Sequence, residues 1–168
     1  MAYEKNNPIA IVMGSDSDLP VMQGAVDTCR EFGIEPVVRV ISAHRTPQVA
    51  ADFAETAEAK GFKVIIAAAG MAAHLAGALA GRTGLPIIGV PIAADAGVGG
   101  LDALLSTVQM PPGVPVACMA IGKAGAKNAA IFAMQVLALC DTELSRKLAD
   151  YRRVQGEKVI EKDRKLGM

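Results

Sequence analysis

The 168-residue sequence contains no tryptophan, and aromatic residues make up only 4% of it. Rings for stacking a flavin are therefore scarce, and Ala, Val, Ile, Leu and Met must fill the core. Since 52% of the residues are hydrophobic, the chain can bury a sizeable core, and its length fits a single domain, residues 1–168. Helices rich in Ala and Gly leave little bulk over their own faces, which favours burial against other subunits.

An excess of one charge is also lacking, because 17 basic residues balance 17 acidic ones and no basic stripe is present. This balance disfavours nucleic-acid binding. No apolar run reaches the roughly 20 residues of a membrane span, and the nearest, residues 64–80, is interrupted by Gly70, His74 and Gly77. Residues 1–8 form a short polar tail rather than a signal peptide. We therefore expect neither a nucleic acid nor a membrane as partner.

Paired cysteines are absent as well. Cys29, Cys118 and Cys140 are scattered, and each lies in an apolar stretch. This pattern excludes a disulfide framework and predicts buried, reduced thiols in a cytoplasmic protein. There are only two histidines, and the spacings of His, Cys and Glu that are typical of zinc sites are missing. We therefore expect no metal.

Short apolar runs alternate with helical patterns along the chain. Strands are predicted at residues 9–13, 36–41, 63–69, 85–91 and 114–121, and helices at residues 18–32, 47–60, 71–82, 101–109 and 124–139. Ser17 and Thr46 are the expected N-caps, and Gly33 and Gly61 the expected helix stops. The alternation predicts an α/β three-layer sandwich with a flavodoxin-like, five-stranded parallel sheet in the order 2-1-3-4-5.

The C-terminal segment, residues 141–168, does not belong to that core. Leu144, Leu148, Tyr151 and Val154 recur at helical spacing on a highly charged background, which predicts a C-terminal amphipathic helix. Two interpretations of this helical arm stay equally open. It docks on its own domain, or it lies on a neighbouring subunit.

Three polar loops follow strands 1, 2 and 3, at the edge where ligands bind in open α/β sheets. The first, residues 14–18, reads Gly-Ser-Asp-Ser-Asp and offers hydroxyls and amides at a helix N-terminus, which suits phosphate or carboxylate. It lacks the spacing of a dinucleotide loop or a P-loop, and its two aspartates suit ribose hydroxyls. Ordinary helix capping would equally explain Ser17 and Asp18.

The second loop, residues 42–47, reads Ser-Ala-His-Arg-Thr-Pro. A helix start needs only the final Thr-Pro, so the start of this helix does not explain the presence of His44 and Arg45. An imidazole can transfer protons near pH 7, and a guanidinium offers a planar fork of donors for phosphate or carboxylate. This pair therefore indicates function more strongly than the first loop does.

The third loop, residues 70–75, carries the other histidine, His74, after strand 3. In the first turns of an apolar helix, such a residue is either a core histidine with a satisfied hydrogen bond or part of the site. The loops after strands 4 and 5, residues 92–100 and 122–128, are either further walls of the site or plain connections.

Jointly these motifs resemble the AIR carboxylase family in its class I PurE form, the N5-carboxyaminoimidazole ribonucleotide mutases. The resemblance covers residues 9–151 and rests on motifs at residues 13–18, 42–47, 70–75, 89–91, 108–111 and 126–130. It implies a cofactor-free isomerase of purine biosynthesis. The carboxylate of a ribonucleotide substrate would move from the exocyclic amine to ring carbon 4, by decarboxylation and recarboxylation in a closed pocket. It also implies a homo-octamer with its sites at subunit contacts.

By position, the resemblance makes His44 the proton shuttle, which protonates the amine and later removes the proton from carbon 4. The implied substrate-binding residues are Ser15, Asp16, Asp18, Ser42, Arg45, Gly70, His74 and Leu75. Class II relatives, which use free carbon dioxide directly, usually have Lys after the motif His and lack the second His. Arg45 and His74 therefore favour the mutase.

The chain departs from the family in the third loop, where the family commonly has Gly-Gly-Ala-Ala-His-Leu-Pro-Gly. Met71 adds bulk where a Gly would lie beside the substrate, and Ala76 replaces a Pro. On the residues alone, two other classes of function stay open. One is a flavodoxin-like module that binds FMN or a sugar phosphate without chemistry, although the scarcity of rings disfavours it. The other is an inactive scaffold subunit.

Overall fold

The computed structural model describes residues 7–167 and contains a five-stranded sheet. The strands are β1 (Ile9–Met13), β2 (Val37–Val40), β3 (Val64–Gly70), β4 (Ile87–Ile92) and β5 (Ala117–Cys118). Their order is β2-β1-β3-β4-β5, and every neighbouring pair is parallel. The predicted α/β fold and its flavodoxin-like strand order are therefore confirmed.

Helices connect successive strands and complete the chain. They are α1 (Leu19–Glu31), α2 (Pro47–Ala57), α3 (Leu75–Ala80), α4 (Leu101–Val108), α5 (Lys123–Ala138) and α6 (Thr142–Leu166). None of these helices is both long and apolar enough to cross a membrane. Of the predicted polar tail, residues 1–8, all but the last two residues lie outside the described part of the chain.

The chain divides into two compact units between Ala133 and Met134. The first unit holds the sheet, α1 to α4 and most of α5. The second holds the end of α5 and all of α6. The single-domain organisation stays a prediction.

Both faces of the central strands are buried. On one face, alternate strand residues pack in an apolar core with residues of α2 and α3. This core includes Ala10, Val12, Phe53, Ile65, Ala67, Leu75 and Leu79. The strand residues of opposite parity, Ile11, Ile66 and Ile88, are also inaccessible to solvent. Because a parallel sheet is covered on both sides, it gives a rigid base for the loops at its carboxyl edge.

The start of α1 differs from the prediction, because Ser17 is not its N-cap. A short 3₁₀ turn, Asp16–Asp18, precedes α1 and is capped by Ser15. The Ser15 hydroxyl accepts the Ser17 N–H at 3.3 Å, and the Asp18 carboxylate accepts the Ser15 N–H at 3.1 Å. This reciprocal capping box satisfies amides that would otherwise lack partners, and α1 begins only at Leu19.

Helix α3 starts at Leu75, four residues later than predicted. Met71 has a φ of +53°, in the left-handed region, so the chain cannot continue as a right-handed helix there. Instead, the Ala73 N–H donates to the Met71 carbonyl and the His74 N–H to the Ala72 carbonyl, each at 2.8 Å. These contacts between residues two apart form tight turns rather than helix.

Two further elements are shorter than predicted. Strand β5 pairs only Ala117 and Cys118 with β4. It is an edge strand, and Pro115 has no N–H to extend the ladder. Helix α2 ends at Ala57 instead of residue 60, and the chain then turns through Gly61 at a φ of +93°.

Helix α6 confirms the predicted C-terminal helix. The Asp141 carboxylate caps it by accepting the Leu144 N–H at 2.9 Å. Leu144 and Leu148 are buried, and ion pairs one helical turn apart, such as Arg153 with Glu157 at 2.6 Å, lie on its exposed face. The placement of this helix on its own domain or on a neighbour stays open.

The three cysteines are free thiols, as expected. Cys29 is buried and Cys118 half-buried, whereas Cys140 is exposed, contrary to the prediction of three buried thiols. Cys140 lies in the turn between α5 and α6, where an apolar sequence neighbourhood does not imply burial.

Candidate functional site

A pocket of about 490 Å³ lies at the carboxyl edge of β1, β2 and β3. The loops after these three strands supply nearly all of its wall. The lining residues are Gly14, Ser15, Ser17, Asp18, Ser42, Ala43, His44, Arg45, Ala69, Gly70, Met71, Ala72, His74, Leu75 and Ala94. The three loops that the sequence singles out therefore meet at one site, as the rule for open parallel sheets predicts.

Of the nine candidate residues, only Asp16 does not line the pocket. Its carboxylate Oδ1 lies 3.1 Å from both the Ser15 hydroxyl and the Ser17 N–H, so it is engaged within the turn. Ala94, in the loop after β4, lines the pocket although no motif marks it. In the sequence, only its position just beyond the carboxyl end of a predicted strand could have indicated that Ala94 belongs to the site. Residues 122–128 do not contribute to the wall.

Asp18 is a buried carboxylate at this site, with only 9% of its surface exposed. Burial is the main cause that raises the pKa of Asp18, and the nearby Asp16 charge adds to it. The hydrogen bond from the Ser15 N–H and the Arg45 charge act in the opposite direction, lowering the pKa. The site thus holds a carboxyl group whose ionised form is disfavoured by desolvation and supported by specific donors.

A tight hydrogen-bonded turn positions the residues of the second loop. The Ser42 N–H donates to the Thr46 hydroxyl at 3.0 Å, and that hydroxyl donates to the Ser42 carbonyl at 2.9 Å. Thr46 therefore stands at the N-cap position of α2 without making the predicted side-chain cap. The Arg45 N–H donates to the Ser42 hydroxyl at 3.1 Å, so the turn holds His44 and Arg45 at its tip.

Arg45 connects the second loop to the first. Its Nη2 donates to the Gly14 carbonyl at 3.1 Å, at the end of β1. A guanidinium has five N–H donors in one plane, so donors remain for an anion beside Ser15 and Asp18. The two loops thus form one polar wall.

The two histidines face each other across the pocket. His44 Nε2 lies 2.9 Å from His74 Nδ1, and the ring planes meet at 84° with centroids 5.0 Å apart. The contact needs one nitrogen with a proton and one without, so it holds a single shared hydrogen. This hydrogen bond joins the second and third loops, and its hydrogen can belong to either imidazole.

The third loop is anchored at Gly70. A Cβ placed on Gly70 would lie 3.1 Å from the Ile92 carbonyl oxygen, closer than most Cβ contacts. A side chain there would push the loop away from β4. In residues 7–167, no three His, Cys, Asp or Glu side chains cluster as a metal would require.

Comparison with known proteins shows the family of this chain. A sequence model of the AIR carboxylase family matches residues 8–158. An N5-carboxyaminoimidazole ribonucleotide mutase of Escherichia coli (strain K12) is 50% identical, over 94% of each chain. One of Brucella melitensis is 52% identical, over 92% of this chain and 94% of its own. One of Pyrococcus abyssi is 53% identical, over 86% of this chain and 81% of its own.

The fold has a matching crystal structure as well. That of Treponema denticola PurE superposes with a TM-score of 0.84, at 31% sequence identity, over 94% of this chain and 97% of its own. The strand order, the pocket edge and the sequence matches lead to one conclusion. The chain belongs to the AIR carboxylase family.

Proposed function

We propose that this protein is a purine-biosynthesis isomerase that converts N5-carboxyaminoimidazole ribonucleotide into 4-carboxy-5-aminoimidazole ribonucleotide. The observation that carries the proposal is the His44–His74 contact on a pocket that also holds Asp18 and Arg45. The curated relatives at about 50% identity bear the name of this mutase. The substrate is a small ribonucleotide, and the reaction needs no cofactor.

The reaction divides into two balanced steps. In the first, the bond between the amine nitrogen and the carboxylate carbon breaks, carbon dioxide leaves, and His44 protonates the nitrogen. In the second, ring carbon 4 attacks the carbon dioxide, and His44 removes the proton from that carbon. The imidazole thus returns to its starting state, which is the general acid and base role of a histidine.

The geometry around His44 supports this role. Because Nε2 is bonded to His74, Nδ1 of His44 is the nitrogen that can exchange a proton with substrate while the bond persists. The bond also orients the His44 ring, and proton transfer requires a donor within hydrogen-bond reach. His74 is therefore a pocket-wall residue that holds the shuttle in place.

The polar wall suits the charged ends of the substrate. The guanidinium of Arg45 binds phosphate or carboxylate through paired donors. The Ser15 hydroxyl and the amides of the adjoining turn add further donors, and Asp18 accepts hydroxyl donors. Ser42, Gly70 and Leu75 complete the wall against which carbon dioxide stays close to carbon 4.

Assembly and location belong to the same proposal. A homo-octamer with sites at subunit contacts agrees with exposed apolar residues on α4, Leu101, Leu105 and Val108, which are 51%, 47% and 46% exposed. Their spacing places them on one side of the helix. The free thiols agree with the reducing cytoplasm.

The test uses purified protein and the N-carboxylated ribonucleotide without ATP. Product formation is followed by its absorbance, and a parallel reaction supplies aminoimidazole ribonucleotide with bicarbonate. The mutase forms product in the first reaction at low bicarbonate. Product only in the second would show a direct carboxylase, and tight binding of FMN without turnover would show a binding module.

A further inference from the structure

The first loop, residues 14–18, directs its backbone hydrogen-bond donors into the turn itself. The Ser15 N–H donates to the Asp18 carboxylate at 3.1 Å, and the Asp18 N–H donates to the Ser15 carbonyl at 3.2 Å. The Ser17 N–H lies 3.1 Å from Asp16 Oδ1 and 3.3 Å from the Ser15 hydroxyl oxygen. Amides at the start of a helix are the donors that an anionic ligand uses, and here they already have acceptors within the loop.

The two hydroxyls of the loop form a hydrogen-bonded chain that ends on Asp16. Ser15 Oγ lies 3.1 Å from Asp16 Oδ1 and 2.9 Å from Ser17 Oγ. A hydroxyl has one hydrogen to donate, and a carboxylate is a stronger acceptor than a second hydroxyl. The Ser15 hydroxyl therefore donates to Asp16, and the Ser17 hydroxyl donates to Ser15 Oγ. Ser15 and Ser17 line the pocket, whereas Asp16 does not.

Asp16 thus occupies donors that a bound anion would need. Its Oδ1 accepts one hydroxyl and one backbone N–H, which is the kind of donor set that suits a phosphate oxygen. Because Asp16 is exposed to solvent, its carboxylate can turn outward and stay hydrated. Burial is the main cause of the raised pKa of Asp18, and the Asp16 charge adds to it. The charge of Asp16 therefore also acts on the wall of the pocket.

We infer that Asp16 is a positioning residue that competes with the phosphate of the ribonucleotide for the Ser15 hydroxyl and the Ser17 N–H. The inference rests on the proposed function for the identity of the ligand. When the phosphate binds, the Asp16 carboxylate turns outward, and the two donors pass from its oxygen to a phosphate oxygen. When the ligand leaves, Asp16 accepts them again. Asp16 thus weakens the binding of phosphate-bearing ligands, whereas a substrate-binding residue would strengthen it.

The experiment measures the binding of aminoimidazole ribonucleotide, and of its riboside without the phosphate, by isothermal titration calorimetry. The proteins are wild type, Asp16→Asn, Asp16→Ala and the matched control Asp27→Asn. Asp27 is likewise an exposed carboxylate that accepts a hydrogen bond, from Gln23 Nε2 at 2.8 Å, and it does not line the pocket. The control removes the same charge, and its dissociation constants should stay at the wild-type values.

We expect Asp16→Asn and Asp16→Ala to bind the ribonucleotide about threefold and about tenfold more tightly than wild type at about 0.05 M salt. In Asp16→Asn the amide oxygen can still accept the two donors. Most of its gain therefore comes from the lost charge and should fade at about 0.5 M salt. In Asp16→Ala the donors are also released, so part of the gain should remain. Binding of the riboside should not change in either variant.

The outcomes separate the two proposals. Thermal unfolding first establishes that the variants are folded, and Asp16→Asn decides the result if Asp16→Ala is not. Equal or weaker binding of the ribonucleotide by the folded Asp16 variants would overturn the role of Asp16, as would an equal gain for the riboside. The mutase assignment then stands as long as wild type forms product. If wild type binds neither ligand and forms no product, the proposed function fails, and the inference about Asp16 fails with it.

Discussion

His44 Nε2 and His74 Nδ1 lie 2.9 Å apart, with one ring edge directed at the face of the other. Both nitrogens cannot carry a proton in this contact, so the protonation of one ring sets the tautomer of the other. The contact joins two loops that are 30 residues apart in sequence. In the proposed function the two histidines have different tasks, because His44 carries the proton and His74 orients the His44 ring.

Replacing His74 should slow turnover through its effect on the orientation of His44. In His74→Asn the amide can occupy the place of Nδ1, whereas His74→Leu removes the hydrogen-bond partner. We expect kcat to fall about tenfold more in His74→Leu than in His74→Asn. Steady-state kinetics on both variants measures this, and equal losses in the two would show that the hydrogen bond is unimportant.

Arg45→Lys should weaken substrate binding although it keeps the charge. Lysine cannot donate to the Gly14 carbonyl and present paired donors to an anion at the same time. We expect KM to rise about tenfold, equivalent to about 1.4 kcal/mol. Arg82→Lys is the matched control, because Arg82 pairs with Glu55 at 2.8 Å, outside the pocket, and both are about half exposed. Its KM should stay at the wild-type value.

Asp18→Asn should separate stability from function. The pKa of Asp18 is raised mainly by burial. Its contribution to stability is therefore greatest below the unfolded pKa, where the carboxyl is protonated, and is lost as pH rises through the folded pKa. At pH 7 the free energy of unfolding in urea should be equal to or higher than that of wild type. This relative advantage should shrink towards pH 4.

The same Asp18→Asn variant should bind substrate more weakly, because an amide accepts hydroxyl donors less well than a carboxylate. Its KM should therefore rise, although its stability at pH 7 is no lower than that of wild type. A variant that is destabilised at pH 7 and loses stability relative to wild type as pH rises would contradict the assigned cause of the pKa shift.

Cys29 should make stability fall at alkaline pH. Burial raises the pKa of its thiol to about 12, with a smaller contribution from Glu35. The folded thiol therefore stays protonated, whereas the unfolded thiol ionises above about pH 8.5. The stability it contributes is complete below that pH and is lost as pH rises towards 12, by about 3 kcal/mol at pH 10.5.

The measurement for Cys29 is urea unfolding between pH 7 and pH 10.5, for wild type and Cys29→Ala. The variant removes the titrating group, so its stability should fall less steeply over this range. Parallel slopes would show that the thiol is accessible in the folded state. Iodoacetamide gives a second check, since exposed Cys140 should react in the native protein and Cys29 only after unfolding.

The sheet and the place of the site could be predicted from sequence because they follow from local patterns. The buried run of β1 is apolar at every position, and its carboxyl end is marked by Gly14. Once the strand order is known, the rule for parallel sheets brings the first three loops together. Ala94 falls under the same rule, but small apolar residues carry no chemical signal.

What could not be predicted depends on contacts between residues in three dimensions. The run of small residues after β3 favours a helix, yet Met71 lies in the left-handed region, where a right-handed helix cannot continue. Likewise, Ser15 rather than Ser17 caps the first turn, and the Asp18 carboxylate accepts the Ser15 N–H in the same capping box. The His44–His74 contact depends on side-chain orientations that no sequence spacing encodes.

The most direct test of the central claim compares wild type with His44→Asn in converting the N-carboxylated ribonucleotide without ATP or added bicarbonate. Asparagine keeps hydrogen-bonding groups near the imidazole position but cannot transfer a proton near pH 7. We predict that wild type forms the carbon-carboxylated product, and that the folded variant does so at least about a thousandfold more slowly. A His44→Asn variant with a rate within tenfold of wild type would contradict the account.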